Sequence, residues 1–555
     1  MGAQLPGGQS WDPPRAVRAP AELRSYDIGG VCRPSGVTHK GKVYKAAGQP
    51  DDIMLETELE DIDMAVVGYV TRDTIVNIDE NGERHPYHSV GGVSTYFSMV
   101  SASLGHATGI VSPVGDEFRA DYLSPADAQR YGLSNDQAAE LRTYVEANQG
   151  DAARLEKALT PKLEKEYGLA EGDASELAHQ AAYGSIFTPL HNKDSVVLEG
   201  CERKGDDNSE ITVLVPVKGY TIGVVEHRLP EIKPGDVPDS YLSARGIHIG
   251  PLFGEVPLET VKYLHDNTNA VITLDAQGYI RHLTPFSKLE QDAVEGLKDN
   301  GATTEERARW ISNDAELVTL APWEEIGEFA KYVDVLKMNE FEAVTCAGIA
   351  DEGDSRESVE KAMGLLEEKL APKNKDLVLM VTMGGDGLLL SFEKHGRRVR
   401  EYVRPAPASV VDTTGAGDTT AAAFLREYSN THDVQWSSRF AASAGSLAVE
   451  VEGPFACPEP DAVYNRMADT YSTIDPTDLE TGSWLQYMEQ VHNANEIGDV
   501  ELTEGFSPEA AAQHLERTTS YLESLDDVNW NEEVRGEYRE ALKRFRDRLE
   551  ERADS

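Results

Sequence analysis

Short, uniformly apolar runs punctuate the middle of the chain. The first spans residues 64–70 (Met-Ala-Val-Val-Gly-Tyr-Val), and others recur at Ile211–Val217, Ala270–Asp275, Val333–Met338 and Leu377–Met383. Runs of this length without polar alternation read as strands buried on both faces. The later ones are separated by segments of helical spacing, which predicts a mostly parallel α/β sheet. In such sheets ligands lie beyond the carboxyl ends of the strands, where a loop leads into a helix, so chemistry is sought just after each run.

Two stretches break the alternation. Residues 119–183 turn acidic and helical, with Ser124-Pro125 and Ser134-Asn135 as helix starts and Leu141, Tyr144 and Leu155 at helical spacing. Residues 469–555 form a second helical addition: Ser507-Pro508 opens a helix, and Tyr538, Leu542, Phe545 and Leu549 mark one face of the last one. The first 60 residues mix Pro, Gly and charge with little periodicity and read as an arm, poorly ordered or accessory. The expected organisation is therefore an arm at 1–60, a folded domain at 61–468 interrupted by a helical insertion at 119–183, and a C-terminal extension at 469–555.

Charge changes the picture of partners. The 555 residues carry 52 Lys and Arg against 97 Asp and Glu, a net charge of −45. Nucleic acid and anionic membranes are poor matches for such a surface, and no apolar run is long enough to cross a bilayer. Acidity on this scale fits a salt-rich cytosol, where self-repulsion is screened. Four cysteines without C-x-x-C spacing suggest neither a disulfide framework nor a cysteine metal site, in keeping with a reducing cytoplasmic setting.

The chemistry concentrates in residues 410–425, Val-Val-Asp-Thr-Thr-Gly-Ala-Gly-Asp-Thr-Thr-Ala-Ala-Ala-Phe-Leu. A strand or loop here feeds a helix whose first turn is built from small residues, so its free N–H groups can cradle an anion. Asp418 at that turn has two local readings, a helix cap or a base accepting a proton from a substrate hydroxyl as phosphate arrives. The loop is neither a Walker loop nor a complete G-x-G-x-x-G fingerprint, since Thr420 stands where the third glycine would be.

Asp412–Asp418 resembles the D-T-x-G-A-G-D signature of the ribokinase-like, or PfkB, carbohydrate kinases. The resemblance continues in order through Gly68–Asp73, the double glycine of Gly91–Tyr96, Leu104-Gly105, Val114–Phe118, Lys337–Glu342 (similar to N-x-x-E) and Val381–Gly387 (similar to T-x-G-x-x-G). It covers roughly residues 64–460. It implies a three-layer α/β sandwich with a small β lid, here from strands within about 184–230, and transfer of the ATP γ-phosphate to a hydroxyl of a small polyol, sugar or nucleoside. Asp418 would be the base, and Gly415, Ala416 and Gly417 the anion hole. Asp73, Gly91 and Gly92 would hold substrate hydroxyls; Asn339, Thr382, Gly384, Gly387 and Thr414 would line ATP. Glu342 would hold Mg2+ through water, and Asp412 with Thr414 a monovalent cation such as K+.

The glycine segment departs from ribokinase, reading Gly91-Gly92-Val93-Ser94-Thr95-Tyr96 where that enzyme has G-G-K-G-A-N. With Ile249-Gly250-Pro251 and Leu274–Arg281, this form looks nearer the inositol and nucleoside kinase branch, which makes Thr95 and Arg281 candidate substrate contacts. Arg72, next to Asp73, points to an acceptor bearing a carboxylate or phosphate. His85 and His88 have H-x-x-H spacing but no third ligand nearby, so no metal is expected there. The alternative from another class is a catalytically silent relative that acts through its helical additions. Lid or helices would also serve as a homo-oligomer contact.

Overall fold

The computed structural model describes residues 62–118, 122–148, 151–193, 195–216, 221–350, 353–394, 396–451, 457–471, 502–527 and 532–555, with isolated positions between 474 and 494 and at 530. The expected arm at 1–60 lies outside the described residues.

The apolar run that begins at Ile211 lies in a second, smaller sheet, whereas the four that begin at Met64, Ala270, Val333 and Leu377 enter a nine-stranded sheet in the order β15-β14-β13-β12-β9-β8-β1-β4-β5. Its strands are β1 (Met64–Val67), β4 (Thr108–Val114), β5 (Val196–Arg203), β8 (Gly246–Ile249), β9 (Val271–Asp275), β12 (Val335–Asn339), β13 (Val378–Thr382), β14 (Leu388–Lys394) and β15 (Arg397–Val403). All neighbours pair in parallel except β13–β14 and β14–β15, which form an antiparallel edge. Apolar cores cover both faces. One centres on Ile247, Leu274, Leu336 and Leu379, the other on Phe97, Ile110, Phe424 and Phe440, so the domain is a three-layer sandwich.

Parallel register aligns the strand ends. Val67 pairs with Ile249, Ile249 with Leu274, Asp275 with Lys337, and Asn339 with Thr382. Gly68, Gly250, Asp275, Lys337, Asn339 and Thr382 thus share one rim. Helices α1 (Val93–Ser103) and α7 (Ala416–Thr431), which pack on each other, begin at that rim. Helix α6 (Glu340–Cys346) follows β12 directly.

The smaller sheet is six-stranded, in the order β10-β11-β7-β6-β2-β3. Its strands are β2 (Thr71–Ile78), β3 (Arg84–Gly91), β6 (Ser209–Pro216), β7 (Ile222–His227), β10 (Arg281–Pro285) and β11 (Glu316–Leu320). This corrects the lid range read from sequence. Only β6 and β7 come from 184–230, whereas β5, within that range, belongs to the large sheet. The reason is local: β2, β3, β10 and β11 carry mixed polar faces that do not stand out as apolar runs. One face of this sheet packs Val76, Leu214 and Val224 against Phe286 and Trp310, the latter on the helix Thr304–Ser312. The other carries Ile211 and Val225 toward Tyr69, Val93 and Phe253.

The helical insertion comprises α2 (Pro125–Arg130), α3 (Asn135–Glu146), α4 (Ala152–Glu166) and α5 (Glu171–Gly184), around its own core of Leu141, Leu155, Leu163 and Leu177. Ser124 and Ser134 cap α2 and α3 with reciprocal capping boxes, as their spacing predicts. At the C-terminus, α8 (Pro508–Ser524) is capped by Ser507 and packs on α9 (Glu532–Ala553). Tyr538, Leu542, Phe545 and Leu549 are all buried there, the face that the spacing marks. No helix among the described residues is long and apolar enough to cross a membrane.

Candidate active site

The glycine turn at the start of α7 is where backbone conformation matters most. Gly415 sits at φ +77, a left-handed conformation, and a Cβ there would lie 2.6 Å from the Tyr96 ring. The first regular helix bond runs from Thr419 N–H to Gly415 O at 2.8 Å, and Ala416 N–H reaches Thr413 O at 3.3 Å. The amides of Gly415, Gly417 and Asp418 have no acceptor within the described protein, as a helix start requires. Of the three residues expected to form the anion hole, Ala416 therefore has its amide engaged, while Gly415 and Gly417 leave theirs open. Val410 and Val411 form an exposed loop rather than a strand.

Asp418 is half-buried in the first turn of α7. Burial pushes its carboxyl up to about 7; Lys337 and Arg281 oppose the rise and Asp275 adds to it. A carboxyl that ionises near neutrality is matched to taking a proton from a hydroxyl.

Asp73 faces the same space from β2. A Cβ on Gly91 would lie 1.9 Å from its carboxylate, so the glycine lets the acid lie against the backbone at the start of α1. Thr71 Oγ1 donates to Asp73 Oδ1 at 2.7 Å. Burial raises this carboxyl to about 6, against the Thr71 hydroxyl and the Arg281 charge. Gly92, at φ +88, leaves no room for a Cβ, which would lie 2.1 Å from Tyr69 O. Tyr96 stands between the two acids: burial first, then Asp73 and Asp418, raise its hydroxyl well above the usual phenol range. Arg281, anchored to Gln277 Oε1 at 3.0 Å, lowers both Asp73 and Asp418.

Other expected residues hold supporting positions. Thr95 is fully buried and its hydroxyl donates to Gly91 O at 2.6 Å, so it turns inward and braces the double glycine. Asn339 and Glu342 cap α6 reciprocally: Asn339 Oδ1 accepts from Glu342 N–H at 2.7 Å, and Glu342 Oε2 from Asn339 N–H at 2.8 Å. Glu342 Oε1 is left unengaged, and burial together with Asp275 holds this carboxyl well above its ordinary value. One free oxygen on an acid beside further carboxylates fits a magnesium ion held partly through water. Thr382 ends β13, with its Oγ1 3.4 Å from Met338 O. Gly384 borders open space at φ +49, whereas Gly387 at φ +87 is tight against Val403 O. Thr414 is exposed, and its N–H donates to Asp412 Oδ1 at 2.9 Å.

Arg72 requires correction. Neighbouring residues on a strand point to opposite faces, so Arg72 turns away from the Asp73 side. Its guanidinium pairs with Glu117 and with Glu210 at 2.6 Å, and lies 4.7 Å over the Tyr183 ring of α5. It ties the smaller sheet to the insertion and is not directed at an acceptor. His85 and His88 likewise lie on opposite faces of β3, and His88 Nδ1 accepts from Ala152 N–H at 3.1 Å. A separate cavity of about 460 Å3, lined by Tyr69, Glu226, Arg228, Glu231, Asp314 and Glu316, includes neither Asp73 nor Asp418.

Sequence reasoning assigned no role to Lys337 or Asp275. Lys337 Nζ lies 2.5 Å from Asp275 Oδ2, and both side chains are almost completely buried. The signal was present: a lysine inside the apolar run of residues 333–338 and an aspartate ending that of 270–275 are unusual in strands buried on both faces.

Residues 298–462 match the family described as pfkB family carbohydrate kinase. Among curated proteins, a ribokinase from Arabidopsis thaliana is 35% identical over 126 residues, covering 23% of this chain. The chain thus spans about a third, 31%, of the length of that relative. Among solved structures, Arabidopsis thaliana ribokinase complexed with ribose and ATP is similar over 73% of this chain and 98% of its own, at 18% identity and a TM-score of 0.42. A pyrophosphate-dependent myo-inositol-1 kinase converted into a myo-inositol-3 kinase is similar over 73% of this chain and 98% of its own, at 16% identity and the same TM-score of 0.42.

Proposed function

We propose that this protein transfers the γ-phosphate of ATP to a hydroxyl of a small polyol, sugar or nucleoside, with inositol-like and nucleoside acceptors favoured. One observation carries the reading. At the start of α7 a carboxylate with a near-neutral proton affinity adjoins unpartnered helix amides, and a second carboxylate, Asp73, faces it across Tyr96 and Arg281. A helix cap alone would not require that second acid or the pressed-in glycines.

In this mechanism Asp73 accepts hydrogen bonds from acceptor hydroxyls, with the backbone at Gly91 and Gly92 completing the seat. Arg281 holds Asp73 ionised and offers donors to the acceptor. Asp418 takes the proton of the attacking hydroxyl. The amides of Gly415 and Gly417 stabilise charge on the transferring phosphoryl group, preset before it arrives. ATP lies along Asn339, Thr382, Gly384, Gly387 and Thr414. Magnesium, held by Glu342 through water, would neutralise phosphate charge. No step uses a monovalent ion at Asp412.

The test is phosphoryl transfer from ATP with Mg2+ to a panel of polyols, sugars and nucleosides, run at low and high KCl. Turnover with one acceptor class, lost in Asp418→Asn, supports the reading. Nucleotide binding without transfer to any acceptor would favour the silent scaffold instead.

A further inference from the structure

A buried ammonium persists in an apolar strand only where something holds it. Lys337 is held by its register partner, Asp275, on the adjacent strand, with 2.5 Å between Nζ and Oδ2. The other carboxylate oxygen, Oδ1, accepts from Gln277 N–H at 3.0 Å, so the acid is fixed at both ends. The ammonium then reaches the first turn of α7, where a Cβ on Gly417 would stand only 3.2 Å from Nζ. A pair serving stability alone is replaceable by apolar residues and has no reason to end beside open helix amides.

We propose that Lys337 is the fixed cation of the transfer site: Asp275 locks it against the first turn of α7, where its charge offsets the Asp418 carboxylate and an arriving phosphoryl group. The proposal rests on the kinase reading above and makes Lys337 a positioning residue. The surrounding charges show why a cation is required. Asp418 faces Lys337 from α7, Asp275 from β9 and Glu342 from α6, while Arg281 is the other cation acting on Asp418 and Glu342. His248 on β8 adds nothing at neutral pH, because burial lowers it to about 3 and its Nδ1 is hydrogen-bonded with Thr273 Oγ1 at 2.8 Å. From α1 the facing group is the neutral Tyr96, and from the helix Val434–Ala448 it is Gly445, against Thr420. Three carboxylates therefore meet two cations, and a triphosphate brings further negative charge. Because Lys337 is already locked in place, its charge acts without reorganisation at the moment of transfer.

The experiment uses the full chain with ATP, Mg2+ and the best acceptor from the panel, comparing Lys337→Met, Lys337→Arg and the double variant Lys337→Met with Asp275→Asn. The double variant removes the unpaired carboxylate that Lys337→Met alone would leave at Asp275, and so guards against a folding defect. Lys337→Met and the folded double variant are expected to lose about 10²–10³-fold in kcat, with acceptor KM within about threefold. The acid limb of the Lys337→Met kcat profile should move to higher pH, because Asp418 has lost a neighbouring cation; in the double variant the move is smaller, because Asp275, which raises Asp418, is gone as well. Lys337→Arg should recover much of the rate. A folded double variant within about threefold of wild-type kcat, with an unmoved acid limb, overturns the proposal while leaving the kinase reading intact. If the wild type itself transfers phosphate to no acceptor, the kinase reading falls and this proposal falls with it.

Discussion

Asp418→Asn should abolish turnover and at the same time stabilise the fold. In an unfolded chain this carboxyl loses its proton at 3.8, and in the folded protein at about 7, chiefly because burial disfavours the charge. The folded value lies above the unfolded one. Below 3.8 both states are protonated and the group has no effect; as pH rises the folded state increasingly holds a charge it disfavours. The cost grows to roughly 2 kcal/mol at pH 5.5 and roughly 4 kcal/mol at pH 8. Asparagine has the same shape without the charge. The gain is trimmed because Asp418 keeps some solvent contact and Lys337 loses a partner, leaving about 1–4 kcal/mol at pH 8. Urea unfolding at pH 8 and pH 5.5 reads this directly, and transfer kinetics should show kcat reduced by about 10²–10⁴. A variant less stable than wild type at pH 8, or a gain that is larger at pH 5.5, refutes the argument that a disfavoured buried carboxylate is maintained here for chemistry. Retained turnover removes Asp418 as the base.

Three further outcomes are expected. Wild-type kcat should rise with pH through about 7 as Asp418 loses its proton, and a flat profile from pH 5.5 to 8 would disagree. Gly91→Ala should raise acceptor KM at least about tenfold with ATP KM little changed, since the new methyl displaces the Asp73 carboxylate; steady-state kinetics with each substrate varied separates the two. Arg72→Met leaves Glu210 without its cation and Glu117 with His179 alone at 3.4 Å, so stability should fall by up to about 3–5 kcal/mol in urea unfolding while acceptor KM barely moves. A large KM change with unaltered stability would return Arg72 to the acceptor site.

How much was legible depends on the range of the interactions. Four buried strands of the large sheet, β1, β9, β12 and β13, the serine-capped helices of the insertion and the apolar face of α9 rest on local periodicity and capping, which a chain carries in its own order. The glycine turn and the place of Asp418 in it were legible for the same reason, because Gly415, Gly417 and Asp418 all belong to one helix start. The strands of the smaller sheet were less so: β2 and β3 are largely polar, with neither a long apolar run nor a strict alternation, and β10 joins them only through β11, β7 and β6.

Tertiary structure alone decided which way charged side chains point. Asp73 and Arg72 are adjacent in sequence, yet strand pleating sends the acid to the Gly91 side and the arginine to the insertion. Lys337 and Asp275 are 62 positions apart, and only parallel register makes them partners. Thr95 lies inside the expected substrate segment, but the turn of α1 spends its hydroxyl on Gly91 O. The linear order of residues determined the elements and the chemistry available to them. Packing decided which groups meet, because contact across strands depends on register and pleat, which no local stretch of sequence contains.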